Sequence, residues 1–405
     1  MKLKVKRKNR ISIDLRSIFY FLIIFPFFHL QSISELAEID RAWFAIDRIL
    51  LGLKICISVS IILLNVNRRK TYSSVIWIIF YTFLLAITSF ANNSFSFNYF
   101  LSSIMPIAGF AILCKEFLNK NQDKFIESAY RLFAFLSICG ALSIYIFPNG
   151  FYNAPTKAGA IYLLGRKNAS FFYYFIYVFL GRYRKLVKGK DISTINYFVY
   201  VFLLISLTIC DCISGVILLS LCIIYVFTDR KKSRLMELFT PRIMFIIFAI
   251  FAVLIPTVLV GARLNFLTFF NRSSSFSGRD FLWMQAIELI KKHPLLGNGI
   301  NVSFSLNNSL STIANQAHNI YLDIGVRYGL ITLMFFLVMI YVVFYKLHEG
   351  NNKQVTRNAA FFLWILLIHS IFDYVSDYLL FFVIMICLHY CSTTNPDDKS
   401  EQKTN

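Results

Sequence analysis

Charged residues are scarce in this chain, and acidic residues are scarcer than basic ones. Only 15% of the residues are charged, whereas 57% are hydrophobic and the mean hydropathy is +0.62. These values lie far from those of soluble domains. The composition therefore excludes an ordinary soluble domain and indicates a membrane protein with many spanning segments.

Several common signals are absent. The eight cysteines lack metal spacing, and Cys210 and Cys212 are too close for an easy disulfide, so we interpret the cysteines as small apolar residues in helices. No internal repeat is visible, which argues slightly against a transporter. No small-residue cleavage site follows the first apolar segment, where Phe-rich sequence continues from Phe19 to Phe28. We therefore expect no cleavable signal peptide there.

Apolar runs recur along the whole chain, many of them near the length of about 20 residues that a helix needs to cross a bilayer. They predict an all-α, polytopic integral membrane protein with about 12 transmembrane helices, in which residues 1–405 form a single transmembrane domain. The runs lie at 17–34, 49–66, 73–91, 98–114, 127–147, 168–181, 193–210, 213–228, 242–260, 320–345, 358–373 and 374–391.

Lysines and arginines are concentrated in every second predicted loop. Positively charged residues next to a span favour the cytoplasmic side of the membrane. Clusters precede the first span and follow every second one, near residues 2–10, 68–70, 115–124, 182–190, 230–234 and 346–357. Both termini, including the tail at 392–405, are therefore predicted to be cytoplasmic. Residues 92–97, 148–167 and 261–319 are predicted to face outward. The net charge of +20 suits an anionic inner leaflet, and no nucleic-acid partner is needed to explain it.

The outward segment 261–319 contains a helix signal. Ser277 and Asp280 are typical of a helix start, and apolar residues then repeat at helical spacing until His293 and Pro294, as they do at Trp283, Ala286, Ile287 and Ile290. The pattern predicts an amphipathic helix along the membrane surface. Glycines and an asparagine at 297–299 predict the turn beyond it.

Two residues of this segment are candidates for chemistry. Arg279 falls in the first turn of the predicted helix, where free N–H groups favour an anion and a guanidinium adds a fork for phosphate oxygens. The alternative is a structural arginine at the headgroup level. His318 precedes the tenth span and is placed to act as a base if Asn319 or Asp323 holds its ring. The alternative is a capping histidine.

Polar residues near the last two spans have simpler interpretations. Asp373 and Asp377 are predicted to lie in a short outward turn, where water suffices to solvate them. His369, one turn earlier, is a possible partner of Asp373. Neither carboxylate is predicted to act directly.

The sequence SGRDFLWMQAIELIKKHPLLGNGI, followed after a gap by AHNIYLDIGVRYGLITLMFFL, resembles the signature region of the O-antigen polymerase and ligase superfamily, which includes Wzy-type polysaccharide polymerases. The resemblance covers about 50 residues closely. A weaker match is LGRKNAS at 164–170, which is similar to a Gly-x-x-Asn segment of the family. Two departures stand out: Arg327 replaces a common glutamate, and CDCISG after the seventh span lacks a common arginine.

The resemblance implies a glycosyltransferase with a GT-C-like carbohydrate ligase and polymerase fold at the outer face of the bacterial inner membrane. The implied substrate is an undecaprenyl-pyrophosphate-linked oligosaccharide, and no cofactor or metal is expected. His318 would be the general base of an inverting reaction, and Arg279 would bind the pyrophosphate. Further candidates for binding the substrate are Arg166, Lys167, Arg263, Arg272, Arg327 and Asn319.

Three functions remain open at this stage. A polymerase would transfer the growing glycan to another lipid-linked repeat unit, a ligase would transfer it to lipid A-core, and a permease or flippase would catalyse nothing. We favour the polymerase because the chain is rich in Phe, Ile, Asn and Lys, as products of polysaccharide-cluster genes often are, and because its motif is common among polymerases. The expected partners are membrane lipids and a chain-length regulator and flippase of the same pathway.

Overall fold

The computed structural model describes residues 15–28, 30–67, 73–153, 160–189, 191–228, 239–261, 279–305 and 313–394, and these are mostly helical. A 3-10 turn at Phe25–Phe28 follows the first helix, and a π-helical turn at Phe100–Ile104 joins the helix Phe97–Tyr99 to the helix Met105–Ile146. The helices are α1 (Leu15–Ile24), α2 (Gln31–Leu36), α3 (Arg41–Asn67), α4 (Ser73–Ala91), α5 (Phe97–Tyr99), α6 (Met105–Ile146), α7 (Lys167–Lys188), α8 (Thr194–Ile209), α9 (Ile213–Thr228), α10 (Pro241–Gly261), α11 (Arg279–Lys292), α12 (Ile320–Glu349), α13 (Lys353–Phe372) and α14 (Asp377–Thr394).

The predicted apolar segments coincide with helices, except that the first, at 17–34, covers α1, the 3-10 turn and part of α2. This agreement confirms the prediction of a helical membrane protein. Among the described residues, four helical stretches are long and apolar enough to cross a membrane: Arg41–Asn67, Phe97–Ile146, Ile320–Glu349 and Lys353–Phe372. Shorter apolar helices include Thr194–Ile209 and Ile213–Thr228. The number of spans and the GT-C-like fold remain predictions.

Helix α6 contains two of the predicted spans. It is 42 residues long and is interrupted at Asn121, whose backbone is not helical. The Oδ1 atom of Asn121 accepts a hydrogen bond from the Lys124 amide at 3.2 Å and so caps the second arm. The ring centroids of Phe117 and Phe125 lie 5.5 Å apart, although eight residues of a straight helix rise about 12 Å. The helix therefore turns back at Asn121, as the basic loop predicted there requires.

The core is built around α6, which packs against α1, α3, α4, α7, α8 and α14. Aromatic rings fill it: Phe28 meets Phe110 edge to face at 5.4 Å and Phe133 at 5.0 Å. Such pairs add about 0.5–1.5 kcal/mol beyond their buried area. In contrast, α8 leaves Ile195 and Phe198 more than 70% exposed, at 72% and 73%. Large apolar side chains on the outside are expected of helices that face lipid.

The contacts between loops divide the bundle into two ends. Arg184 pairs with Glu127 at 3.0 Å, and Arg242 pairs with Glu349 at 3.0 Å, so segments predicted to be cytoplasmic contact one another. The opposite end is formed by residues 92–97, 148–153, 160–167, 279–305 and 313–319, where Asn92 donates a hydrogen bond to the Leu296 carbonyl. We call it the outer end. The loops are thus grouped as the charge alternation predicts.

Two small antiparallel sheets at the outer end depart from the all-α prediction. One joins β1 (Tyr152–Asn153), β2 (Ala160–Tyr162) and β3 (Gly165–Arg166), and the other joins β4 (Phe304–Ser305) and β5 (Ile313–Ala314). Strands of two or three residues carry no detectable alternation in a sequence. The last helix also extends to Thr394, three residues into the predicted tail at 392–405.

Candidate active site

A histidine and an aspartate meet where two helices end. His318 directly precedes the N-cap of α12, and Asp373 is the residue that ends α13. The His318 Nδ1 atom lies 3.1 Å from the Asp373 Oδ1 atom. The imidazole is 41% exposed, whereas the carboxylate is 9% exposed. If Nδ1 carries the proton toward Asp373, the Nε2 atom has a free lone pair and can accept a proton.

Asp373 corrects two expectations. We predicted that water solvates it in a turn, but the structure buries it, and its partner is His318 and not His369. We also expected Asn319 or Asp323 to hold the His318 ring. Their side chains instead bind backbone amides: Asp323 Oδ1 accepts from Ala317, and Asn319 Oδ1 accepts from Tyr321 and Leu322. The pairing of Asp373 with His318 could not be predicted from the sequence, because a contact across 55 residues leaves no local periodicity.

The charges around Asp373 determine its ionisation. Burial by itself raises the pKa of the carboxyl, but the hydrogen bond from His318 and the positive charges of His318 and Arg279 lower the pKa, to about 2. Asp373 is therefore a carboxylate at every physiological pH. Because the charge of Arg279 acts on Asp373, Arg279 lies near the pair. Arg279 and His318, two predicted site residues that are 39 positions apart in the chain, therefore lie at one site.

The backbone at His318 is held on both sides. Its φ of +51° is uncommon for a residue other than glycine. The residue before it, Ala317, accepts a hydrogen bond from the Trp283 indole at 2.9 Å and donates one to Asp323 at 3.0 Å. Asn319 then caps α12. The tryptophan of α11 and the first turn of α12 thus fix the position of the histidine.

The turn after α11 interlocks with a kink in α12. Gly329 has φ +80°, so the helix is broken there, and the carbonyls of Val326 and Arg327 accept hydrogen bonds from Asn298 at 2.7 Å and Gly299 at 3.1 Å. In exchange, the Leu330 amide donates to the Pro294 carbonyl at 2.7 Å. A side chain at position 297 would lie 2.5 Å from the Arg327 backbone. The glycines are therefore required by the close approach of the two backbones.

Lys167 and the turn between α8 and α9 form the neighbouring wall. Lys167 begins α7 and pairs with Asp211 at 3.5 Å. Burial raises the pKa of the Cys212 thiol to about 12. The charge of Asp373 also raises this pKa and the charge of Lys167 lowers it, so both residues lie near the thiol. Lys167 therefore belongs to the same polar region as His318. Arg166 points elsewhere and pairs with Glu35 of α2 at 3.1 Å.

Four other residues were predicted to bind the substrate: Arg327, Asn319, Arg263 and Arg272. Arg327 donates hydrogen bonds to the carbonyls of Ile300 and Asn315, so its guanidinium ties the outer segment to α12. Asn319 is buried, and its Nδ2 atom has no partner in the described part of the chain. Arg263 and Arg272 lie outside the described residues. Their predicted roles in substrate binding, like that of Arg327, remain predictions.

The described residues include no group of three or more His, Cys, Asp or Glu side chains that could hold a metal ion. At the outer end the structure presents a partly exposed imidazole held by a carboxylate, next to cationic side chains. This combination suits removal of a proton from a hydroxyl group beside a bound anion.

Part of the chain matches a known protein family. No curated protein matches the chain. Residues 198–337 match the family model Wzy_C, described as O-antigen ligase. The matched region starts in α8 and ends in α12, so it includes Arg279, Trp283, His318 and the kink at Gly329. This match supports the similarity of the region to the O-antigen polymerase and ligase superfamily.

Proposed function

We propose that this protein is an inverting membrane glycosyltransferase that polymerises a surface glycan. It would transfer the growing glycan from undecaprenyl pyrophosphate to the non-reducing-end hydroxyl of another lipid-linked repeat unit. The observation that carries the proposal is the hydrogen-bonded pair of His318 and Asp373, with the charge of Arg279 acting on the same carboxylate.

The pair supports a single-displacement reaction. The acceptor hydroxyl loses its proton to the His318 Nε2 atom while its oxygen attacks the anomeric carbon. The bond from that carbon to the pyrophosphate oxygen breaks, and undecaprenyl pyrophosphate leaves with the electron pair. Attack opposite the leaving group inverts the anomeric configuration. The Asp373 carboxylate stabilises the imidazolium that forms, as a buried carboxylate does for a catalytic histidine.

Cationic groups suit the leaving pyrophosphate. Arg279 lies at the start of α11 and Lys167 at the start of α7, so each charge adds to the positive end of a helix dipole. Charge that grows on the leaving oxygen is stabilised most by groups already in place before the reaction. We therefore assign donor binding to Arg279 and Lys167.

A ligase is the second candidate, because the matching family model is described as O-antigen ligase. It would use the same donor and the same base, but its acceptor would be lipid A-core. The surface glycan of a strain that lacks the gene separates the two on a gel. A polymerase defect leaves a single repeat unit on lipid A-core, whereas a ligase defect leaves bare lipid A-core while lipid-linked polymer accumulates.

Complementation of that strain tests the mechanism. We expect the His318→Ala variant to insert into the membrane normally and to restore no ladder, because the base is gone. His348→Ala is the matched control, since His348 lies in the last turn of α12, away from the outer end, and it should restore the wild-type ladder. A normal ladder from His318→Ala would overturn the proposed mechanism, and an unchanged ladder in the deletion strain would favour the permease.

A further inference from the structure

A cluster of tyrosines around Asp377 lies beside the candidate base. Asp377 is the first residue of α14, and the Tyr374 hydroxyl donates a hydrogen bond to its Oδ2 atom at 3.4 Å. The Tyr99 and Tyr328 hydroxyls lie 3.1 Å apart, across α5 and α12. The negative charge of Asp377 raises the pKa of Tyr374 well above its usual value, with burial and the charges of Tyr99 and Tyr328 adding to it. These four side chains therefore form one group, which we call the tyrosine cluster.

The tyrosine cluster is joined rigidly to the catalytic pair. The Asp373 Oδ1 atom, which binds His318, also accepts a hydrogen bond from the Tyr374 amide at 2.8 Å. Asp373, Tyr374 and Asp377 share one short connection between α13 and α14. A molecule held by the cluster would thus be positioned against the imidazole by the same segment that orients the imidazole.

Carboxylate oxygens in and beside the tyrosine cluster can accept further hydrogen bonds. Asp377 forms no ion pair within the described chain, and its one hydrogen-bond donor there is Tyr374. Asp323 lies close enough for its charge to act on Tyr374, is 3% exposed, and has an Oδ2 atom without a partner among the described residues. Buried or half-buried carboxylate oxygens without donors are costly. They indicate a ligand that brings hydrogen-bond donors.

The charge of the cluster selects the type of ligand. The Asp377 carboxylate forms no ion pair within the described chain and repels a phosphate, whereas the charge of neighbouring Asp323 is offset by Arg327 at 3.9 Å. We therefore place the pyrophosphate with Arg279 and Lys167. A sugar has no charge to repel, and its neighbouring hydroxyls can donate to both oxygens of one carboxylate. Tyrosine rings offer an apolar face for the sugar and a hydroxyl at its edge. Tyr99, Tyr374 and Asp377 are each partly exposed, which leaves them surface for such a contact.

We propose that Asp377, with Tyr374, Tyr99 and Tyr328, forms the subsite that binds the acceptor sugar through its hydroxyl groups. This inference rests on the proposed glycosyl transfer and adds to it a division of labour. The donor pyrophosphate lies on the cationic side of the His318–Asp373 pair, and the acceptor saccharide lies on the side of the tyrosine cluster. The attacking hydroxyl then lies between the cluster and the Nε2 atom of His318.

The test uses the full-length protein in lipid nanodiscs. The donor is the lipid-linked repeat unit extracted from the deletion strain, and the acceptor is the free repeat-unit oligosaccharide released from it by mild acid. With donor at saturation, we expect Asp377→Asn to raise the KM for the oligosaccharide about tenfold, because a charge-assisted hydrogen bond is lost. Tyr374→Phe should raise it several-fold. The KM for the donor should stay within about twofold in both variants.

Controls separate a binding role from a structural one. Asp191→Asn and Tyr345→Phe make the same chemical changes at the other end of the bundle, where Asp191 pairs with Lys185 at 3.7 Å and Tyr345 lies near Arg242. Both should behave as wild type. Unchanged KM for the oligosaccharide in both cluster variants would overturn the inference, as would an equal rise in both KM values.

A titration without donor keeps the two proposals distinguishable. Calorimetric binding of the oligosaccharide should weaken about tenfold in Asp377→Asn and should be unchanged in Arg279→Ala. Weakening by Arg279→Ala alone would overturn the subsite. If the wild-type protein binds the oligosaccharide in this way but transfers no glycan, the proposed function fails while the subsite stands.

Discussion

At the scale of single residues, the His318–Asp373 pair is the feature on which the chemistry depends. The carboxylate is ionised and buried, and it accepts a hydrogen bond both from the imidazole and from the Tyr374 amide. One ring tautomer and one ring orientation are therefore favoured. A base held in this way loses little orientation entropy when the acceptor arrives.

Replacing Asp373 with asparagine should abolish most of the activity without removing the protein from the membrane. An amide fits the site but cannot stabilise an imidazolium, so we expect kcat to fall about 100-fold or more. Glycan transfer by the purified variant measures the effect, and Asp191→Asn is the control. A variant that keeps more than half of wild-type kcat would show that Asp373 does not act through His318.

The depressed pKa of Asp373 also predicts how stability depends on pH. The carboxyl has a pKa of about 2 in the folded protein, against about 4 in an unfolded chain. Its contribution is therefore complete above about pH 4 and is lost as the pH falls toward 2. The expected size is about 2.7 kcal/mol, with about half lost by pH 3. Thermal unfolding of wild type and Asp373→Asn from pH 6 to pH 3 should show their difference shrinking, and a constant difference would contradict the pairing.

At the scale of elements, the site depends on two helices that are locked together. The sequence predicted α11 and the turn after it from local signals: a start near Ser277, an apolar face around Trp283, and glycines at 297 and 299. It could not predict that this turn donates hydrogen bonds to α12, because the acceptors become available through the kink at Gly329. Within an apolar helical pattern, that glycine resembles any other small residue.

Substituting Gly329 should therefore unfold the outer end. A Cβ atom there would meet the Leu295 carbonyl, and φ of +80° strains any other residue. We expect Gly329→Ala to lower stability by about 3 kcal/mol or more, which a thermal unfolding assay in detergent would measure as a drop in Tm. Gly52→Ala is the matched control, since a Cβ atom added at Gly52 in α3 would meet nothing within 4 Å. It should leave Tm unchanged or raise it slightly. Equal Tm values for both variants would mean that the interlock contributes little.

At the scale of the whole molecule, hydropathy and charge predicted most of the architecture. The apolar runs predicted where the helices lie. The alternation of basic loops predicted two sets of connections, and the members of each set contact one another at one end of the bundle. The pairing of Asp373 with His318 depended on how α13 packs beside α12, which no local pattern encodes. The contacts of Arg327 could not be predicted for a similar reason, since its guanidinium donates hydrogen bonds to the backbone carbonyls of Ile300 and Asn315, which are distant in sequence.

The arrangement of the two ends predicts which of them faces the outside of the cell. We place one epitope between Asn153 and Ala160, two strand residues of the outer end. A second epitope follows Gly189, after the basic last turn of α7 at the other end, where an added Cβ atom would meet nothing within 4 Å. Because basic segments stay cytoplasmic, antibody added to intact spheroplasts should bind the first epitope, and the second should be reached only after permeabilisation. The opposite labelling would place His318 and Asp373 in the cytoplasm and would remove the basis for a reaction on an exported lipid-linked glycan.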